Sequence, residues 1–149
     1  MQVVVCGKCG AKNRVDENRL SEAKCGRCGE RLQASRHDSK PAVITDQTFE
    51  RDVLQARGQP VLVDCWAPWC GPCRMVGPIM DQLAEESHGQ YRIAKLNVDE
   101  NPQTASRFQI ASIPTMLIFK DGKLIDRLIG AQPKQTIAER LRVASRFAA

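Results

Sequence analysis

Beyond residue 41, apolar runs of strand length alternate with stretches of helical spacing. Val61-Leu62-Val63-Asp64-Cys65-Trp66 is apolar on both faces apart from Asp64, the mark of a central strand covered on both sides. Val43-Ile44 reads as a short strand, and Asp46 suits the N-cap of a helix running to about Ala56, with Gly58 as its stop. A long helix is predicted from about Cys70 to His88, with Pro72 near its start, Pro78 as a kink and Gly89 at its end. Residues 91–98 predict a strand and 104–108 a short helix. Residues 115–119 and 124–129 predict a hairpin across Asp121-Gly122, and 136–147 a final helix. Strands alternating with helices and ending in a hairpin predict an α/β domain with a mixed sheet.

The pattern before residue 33 is different. It is rich in cysteine, glycine and charge and poor in large apolar groups, and Gln33–Lys40 is polar without periodicity. The expected organisation is a small module over 1–32, a linker over 33–40 and the α/β domain over 41–149, which suits a chain of 149 residues. No apolar run approaches the roughly 20 residues needed to span a bilayer, so no membrane association is expected. The start has three valines and no basic segment before them, which is no signal peptide, and a cytoplasmic location is expected. The net charge is +5, with nine Lys/Arg against five Asp/Glu in residues 1–40 and 13 against 12 in the remainder. That excess is too thin for a nucleic-acid face, and metal-bound thiolates would lower it further.

Six of the seven cysteines fall into three Cys-x-x-Cys pairs. In a reducing compartment this favours metal or redox chemistry over a disulfide scaffold. Cys6-x₂-Cys9-x₁₅-Cys25-x₂-Cys28 has glycine inside and after each pair, as tight knuckles around one ion require. Four thiolates select Zn²⁺ and leave no open position, so a structural ion is expected; two structural disulfides are the alternative. Some 30 residues bury too little surface to fold unaided, and metal binding worth about 10–16 kcal/mol supplies the difference. His37 is not needed as a ligand.

The third pair lies in Trp66-Ala67-Pro68-Trp69-Cys70-Gly71-Pro72-Cys73, where the buried strand gives way to the long helix. At a helix N-terminus free N–H groups and the helix dipole stabilise a thiolate, the nucleophile of disulfide exchange. Cys73, three residues on, shares a helix face with Cys70. As a mere staple so small a loop would add only about 2 kcal/mol. A metal site would need partners beyond one further cysteine and one histidine.

The segment Val63 to Cys73 resembles the active site of the thioredoxin family. Further matches follow in the family's order: Lys95-Leu96-Asn97-Val98-Asp99, Ile113-Pro114-Thr115, Lys120-Asp121-Gly122 and Gly130-Ala131. With the four cysteines in front, the whole chain resembles the zinc-binding bacterial thioredoxins of the thioredoxin 2 type. The resemblance implies the thioredoxin fold, a central mixed sheet flanked by helices, behind a small zinc module in which four cysteines hold one ion. It assigns Cys70 as nucleophile, Cys73 as resolving thiol, Asp64 as a buried proton relay, Lys95 as its partner and Pro114 as a cis-proline. Trp69, Gly71, Pro72, Ile113, Gly130 and Ala131 would line the substrate groove. The implied activity is protein-disulfide reduction, recycled by thioredoxin reductase with NADPH; oxidised proteins are the substrates and the chain is a monomer. No dinucleotide fingerprint is present, so no bound nucleotide is expected. A zinc-linked redox sensor or holdase, or a partner-recruiting zinc module, remain the alternative functions. Three positions depart from the usual pattern: Cys65 replaces an aromatic residue, Pro68 an acidic or polar one, and Ser112 a glycine. Cys65 reads as a small buried hydrophobe on the face opposite Asp64.

Overall fold

The computed structural model describes residues 2–6, 8–19, 22–32 and 40–147. The chain divides into two compact units, Met1–His37 and Asp38–Ala149. Both His37 and all but the last residue of the expected linker lie outside the described residues.

In the first unit, β1 (Gln2–Val5) and β2 (Lys12–Val15) form an antiparallel hairpin. A 3-10 turn over Glu17–Arg19 follows, and Lys24 and Arg31 form a lone bridge. Val4, Val15 and Leu32, with Cys6 and Cys25, make up its buried core. So few apolar groups, at about 1.5–3 kcal/mol each, fall short of the ordering entropy of the segment.

The second unit is built on five strands: β3 (Ala42–Val43), β4 (Val61–Trp66), β5 (Arg92–Asn97), β6 (Thr115–Lys120) and β7 (Lys123–Ile129). Their order is β3-β5-β4-β6-β7, parallel on the β3 and β5 side of β4 and antiparallel on the β6 and β7 side. The mixed sheet is therefore as expected, and β4 is central. The β6–β7 turn places Asp121 at φ 49° and Gly122 at φ 81°, the paired left-handed conformation that favours Asp-Gly in a two-residue hairpin loop.

Strand alternation sorts the apolar residues into two layers. Leu62, Ile93, Met116, Ile118 and Leu128 pack against α1 (Gly71–Glu86) and α3 (Lys134–Ser145). Val61, Val63, Cys65, Leu96, Leu117 and Phe119 pack on the other face against Phe49, Val53 and the residues following α2 (Pro102–Arg107). Phe49, Phe108 and Phe119 meet there with ring centroids 5.3–5.6 Å apart. Asp64 falls on the α1 side of the sheet because it shares a face with Leu62.

One expected element is corrected. In place of a helix from Asp46 to Ala56 there are turn residues and a π-helical turn, Glu50–Leu54. Asp46 does not cap it. Its carboxylate accepts from the N–H and hydroxyl of Thr104 and from Gln103 N–H, at 2.6–3.2 Å, so it caps α2. The Asn101 side chain in turn accepts from Asp46 N–H at 2.8 Å. Thr45 and Thr48 organise the turn instead, through Thr45 N–H to Thr48 Oγ1 and Thr48 N–H to Thr45 O. A carboxylate offered two sets of orphan donors can satisfy only one.

Candidate active site and metal centre

Cys70 and Cys73 are joined by a disulfide. Cys70 is the N-cap of α1 in extended conformation, and its Sγ accepts from Cys73 N–H at 3.2 Å. Pro72 sits in the first turn, where its missing N–H costs nothing. Both sulfurs are largely buried, while Gly71 and Pro72 between them are exposed. The site thus presents the edge of the disulfide at the positive end of a 16-residue helix.

Asp64 lies beneath this turn, buried, with Oδ1 lacking a protein hydrogen-bond partner. Burial raises its pKa to about 7, against the opposing attraction of Lys95. Lys95 is directly opposite Asp64 in the parallel β4–β5 pairing. Its Nζ stands 5.3 Å from the ring centroid of Trp66, so the half-buried indole shares the charge by a cation–π contact. Asp64, Lys95, Cys73, Trp66 and Arg74 line one cavity of about 230 Å³. That is room for several waters in a cavity that both Asp64 and Cys73 line.

The Ile113–Pro114 peptide is cis, and Ile113 O lies 3.7 Å from Cys70 Sγ. Pro114 O accepts from Gly130 N–H at 2.8 Å, which ties the loop before β6 to the end of β7. Of the six expected groove residues, Ile113 stands beside Cys70, Gly71 and Pro72 follow Cys70 in the chain, and Gly130, with Ala131 next to it, is tied to Pro114. The sixth, Trp69, is 69% exposed. Its indole N–H donates to Asp99 Oδ2 at 2.8 Å, a partner that sequence reasoning did not assign. Asp99 is held in turn by its own N–H bond to Asn97 Oδ1, at 3.0 Å. No signal along the chain points to Asp99 as a partner: Trp66 and Asn97 are register partners, so the loops after β4 and β5 leave the sheet side by side, and only the strand register brings Trp69 to Asp99.

Cys65 is fully buried in the opposite layer, and burial together with the Asp64 charge pushes its thiol up to about 12. Its burial on the face opposite Asp64 is that expected of a small hydrophobe.

In the first unit the four remaining sulfurs converge. Those of Cys6, Cys9, Cys25 and Cys28 all lie within 4.8 Å of one another, with Cys6–Cys28 at 3.5 Å and Cys9–Cys25 at 3.6 Å. A tetrahedron of Zn–S bonds of about 2.3 Å has sulfur–sulfur edges of about 3.8 Å, so this donor set fits one ion. None of the four is in a disulfide. Each knuckle closes alike: Gly10 N–H bonds Cys6 O, and Gly29 N–H bonds Cys25 O, both at 2.9 Å with glycine φ near 75°.

Residues 40–143 match the family described as thioredoxin. The chain belongs to the thioredoxin family. Residues 5–30 match a second description, thioredoxin 2, N-terminal. Thioredoxin 1 of Synechococcus elongatus is 52% identical over 103 residues, covering 69% of this chain and 95% of that protein. Thioredoxin 2 of Chlorobaculum tepidum is 54% identical over 97 residues, 65% of this chain and 88% of its own. The chloroplastic M-type thioredoxin of Pisum sativum is 47% identical over 110 residues, 74% and 63% respectively. Membership of this thioredoxin family carries thiol–disulfide oxidoreductase activity. Among the described residues no helix is long and apolar enough to cross a membrane.

Proposed function

We propose that the protein is a protein-disulfide reductase working through Cys70 and Cys73. The Cys70 thiolate attacks one sulfur of a substrate disulfide, forms a mixed disulfide and expels the other substrate sulfur as a thiolate. The Cys73 thiolate then attacks Cys70 Sγ, closes the Cys70–Cys73 disulfide and releases the second substrate thiolate. Asp64 takes the Cys73 proton through the shared cavity, and Lys95 offsets the charge it acquires. The Ile113 backbone beside the cis-proline pairs with extended substrate, and Trp69, Gly71, Pro72, Gly130 and Ala131 complete the groove. NADPH-dependent thioredoxin reductase returns two electrons to the disulfide, so the chain itself binds no nucleotide. Residues 1–32 form a module holding one zinc ion through Cys6, Cys9, Cys25 and Cys28. Residues 33–40 link it to the redox domain, 41–149. When bound, the ion supplies the folding free energy that the module's small core lacks. The protein works as a monomer on oxidised proteins in a reducing cytoplasm.

The observation carrying this reading is a Cys-x-x-Cys pair at a helix N-terminus above a buried carboxylate that shares its cavity. The test is NADPH oxidation with thioredoxin reductase and a disulfide-bonded protein. Wild type turns over, Cys70→Ser does not, and Cys73→Ser accumulates a mixed disulfide with substrate. Turnover that survives Cys70→Ser would sink the assignment.

A further inference from the structure

We propose that Asn13 is a positioning residue of the metal centre: its carboxamide ties the second cysteine knuckle to the first hairpin, hydrogen-bonds the Cys25 sulfur, and so governs how tightly the ion is held. The inference rests on the reading that residues 1–32 hold zinc.

The two knuckles are built alike in their backbones. Lys8 and Cys9 N–H groups point at Cys6 Sγ, and those of Arg27 and Cys28 at Cys25 Sγ. Cys6 N–H reaches Ala11 O and Cys25 N–H reaches Glu30 O, at 2.9 and 2.8 Å. Asn13 breaks this likeness. It stands on β2 opposite Val4, half-buried, and its Oδ1 accepts Gly26 N–H at 2.9 Å. Its Nδ2 faces Ala11 O at 3.0 Å, Val4 O at 3.5 Å and Cys25 Sγ at 3.6 Å. The amide can sit only one way round, because Gly26 N–H is a donor and the other three groups are acceptors. One side chain therefore joins the hairpin that carries Cys6 and Cys9 to the turn that carries Cys25 and Cys28.

Both halves of the amide have work here. Four thiolates around a dication repel one another, and an N–H donor on a ligand sulfur disperses that charge. The acceptor half fixes the turn at Gly26, next to the ligand, so Cys25 is held in place in the folded module. Removing such an outer partner weakens metal binding by roughly 10–100-fold. Aspartate at this position would still accept from Gly26 N–H, but it would turn a negative oxygen toward the Cys25 thiolate.

The experiment uses the full zinc-loaded chain and three variants: Asn13→Ala, Asn13→Asp and, as a control on the same strand, Arg14→Ala at an exposed position. Zinc transfer to an excess of chelating dye gives the release rate, and Co²⁺ titration gives affinity and shows by its spectrum that the filled site is tetrahedral. Asn13→Ala and Asn13→Asp are expected to release zinc about 10–100-fold faster than wild type, with Arg14→Ala unchanged. Release by Asn13→Ala within about twofold of wild type, set against that expectation, overturns the proposal. Fast release by Asn13→Ala with wild-type behaviour of Asn13→Asp overturns the sulfur bond and leaves only the tie to Gly26. If Asn13→Ala does not load at all, Asn13→Asp carries the test, since it keeps that tie. A wild-type chain that takes up no zinc fails the zinc reading itself, a different result from any of these.

Discussion

Replacing Asp64 by asparagine should make the oxidised protein more stable, and more so as the pH rises. The carboxylate is buried with one oxygen unpartnered, and its pKa rises from 3.8 in the unfolded chain to about 7 in the fold. Between those values the native state binds more protons than the unfolded state, so native stability falls with rising pH. Below the unfolded value the burden is absent; above the folded value it is fully present. At about 1.4 kcal/mol for each tenfold change in proton affinity, the full burden is about 4 kcal/mol. Near pH 5 only a part of it has accrued, about 1.6 kcal/mol. A neutral amide carries none of it. Guanidinium unfolding of the disulfide form, with Cys70 and Cys73 unable to titrate, should show Asp64→Asn stabilising by about 4 kcal/mol near pH 9 and by less than half of that near pH 5. A gain independent of pH, or a loss at pH 9, would refute the claim that this carboxylate is charged at a cost inside the fold. The fold therefore holds a destabilising group where the proposed chemistry needs a proton acceptor working near neutrality.

Three further outcomes are expected. Asp46→Ala should cost about 1–2 kcal/mol by uncapping α2. Partial burial raises the Asp46 pKa, but bonds from Thr104 and Gln103 outweigh it and hold it below 3.8. Its contribution is thus present above 3.8 and lost as the pH falls through the folded value, so wild type and variant should converge in acid urea titrations. Gly122→Ala should destabilise by about 1–3 kcal/mol, because φ is 81° there and a Cβ would meet Leu54 O at 2.7 Å; equal melting temperatures would count against it. Stripping metal with a chelator should abolish amide protection across β1 and β2, read by hydrogen exchange, and protection surviving in the metal-free chain would contradict a metal-dependent fold.

Short-range rules made much of this protein legible from its residues. The apolar run of β4, the Asp-Gly hairpin, the cysteine pair opening α1 and the glycine-closed knuckles each depend on sterics and periodicity within a few positions, so each was readable along the chain. Contacts joining distant positions were not. Trp69 finds Asp99 because two loops emerge side by side, and Asn13 reaches Cys25 and Gly26 across the module. The family resemblance alone names Lys95 as the partner of Asp64, and it is the β4–β5 register that sets the two opposite each other. Asp46 shows the limit most clearly. Its local pattern fits an N-cap, yet the tertiary fold brings it donors from residues 57 and 58 positions away. Local sequence states what a residue is able to bond; packing decides which of the competing partners reaches it. Cys70, Cys73, Asp64 and Pro114 were therefore determined as candidates by the chain alone; that Asp64 and Cys73 line one cavity, and that the cis Ile113–Pro114 peptide lies beside Cys70, was decided by strand register and helix placement.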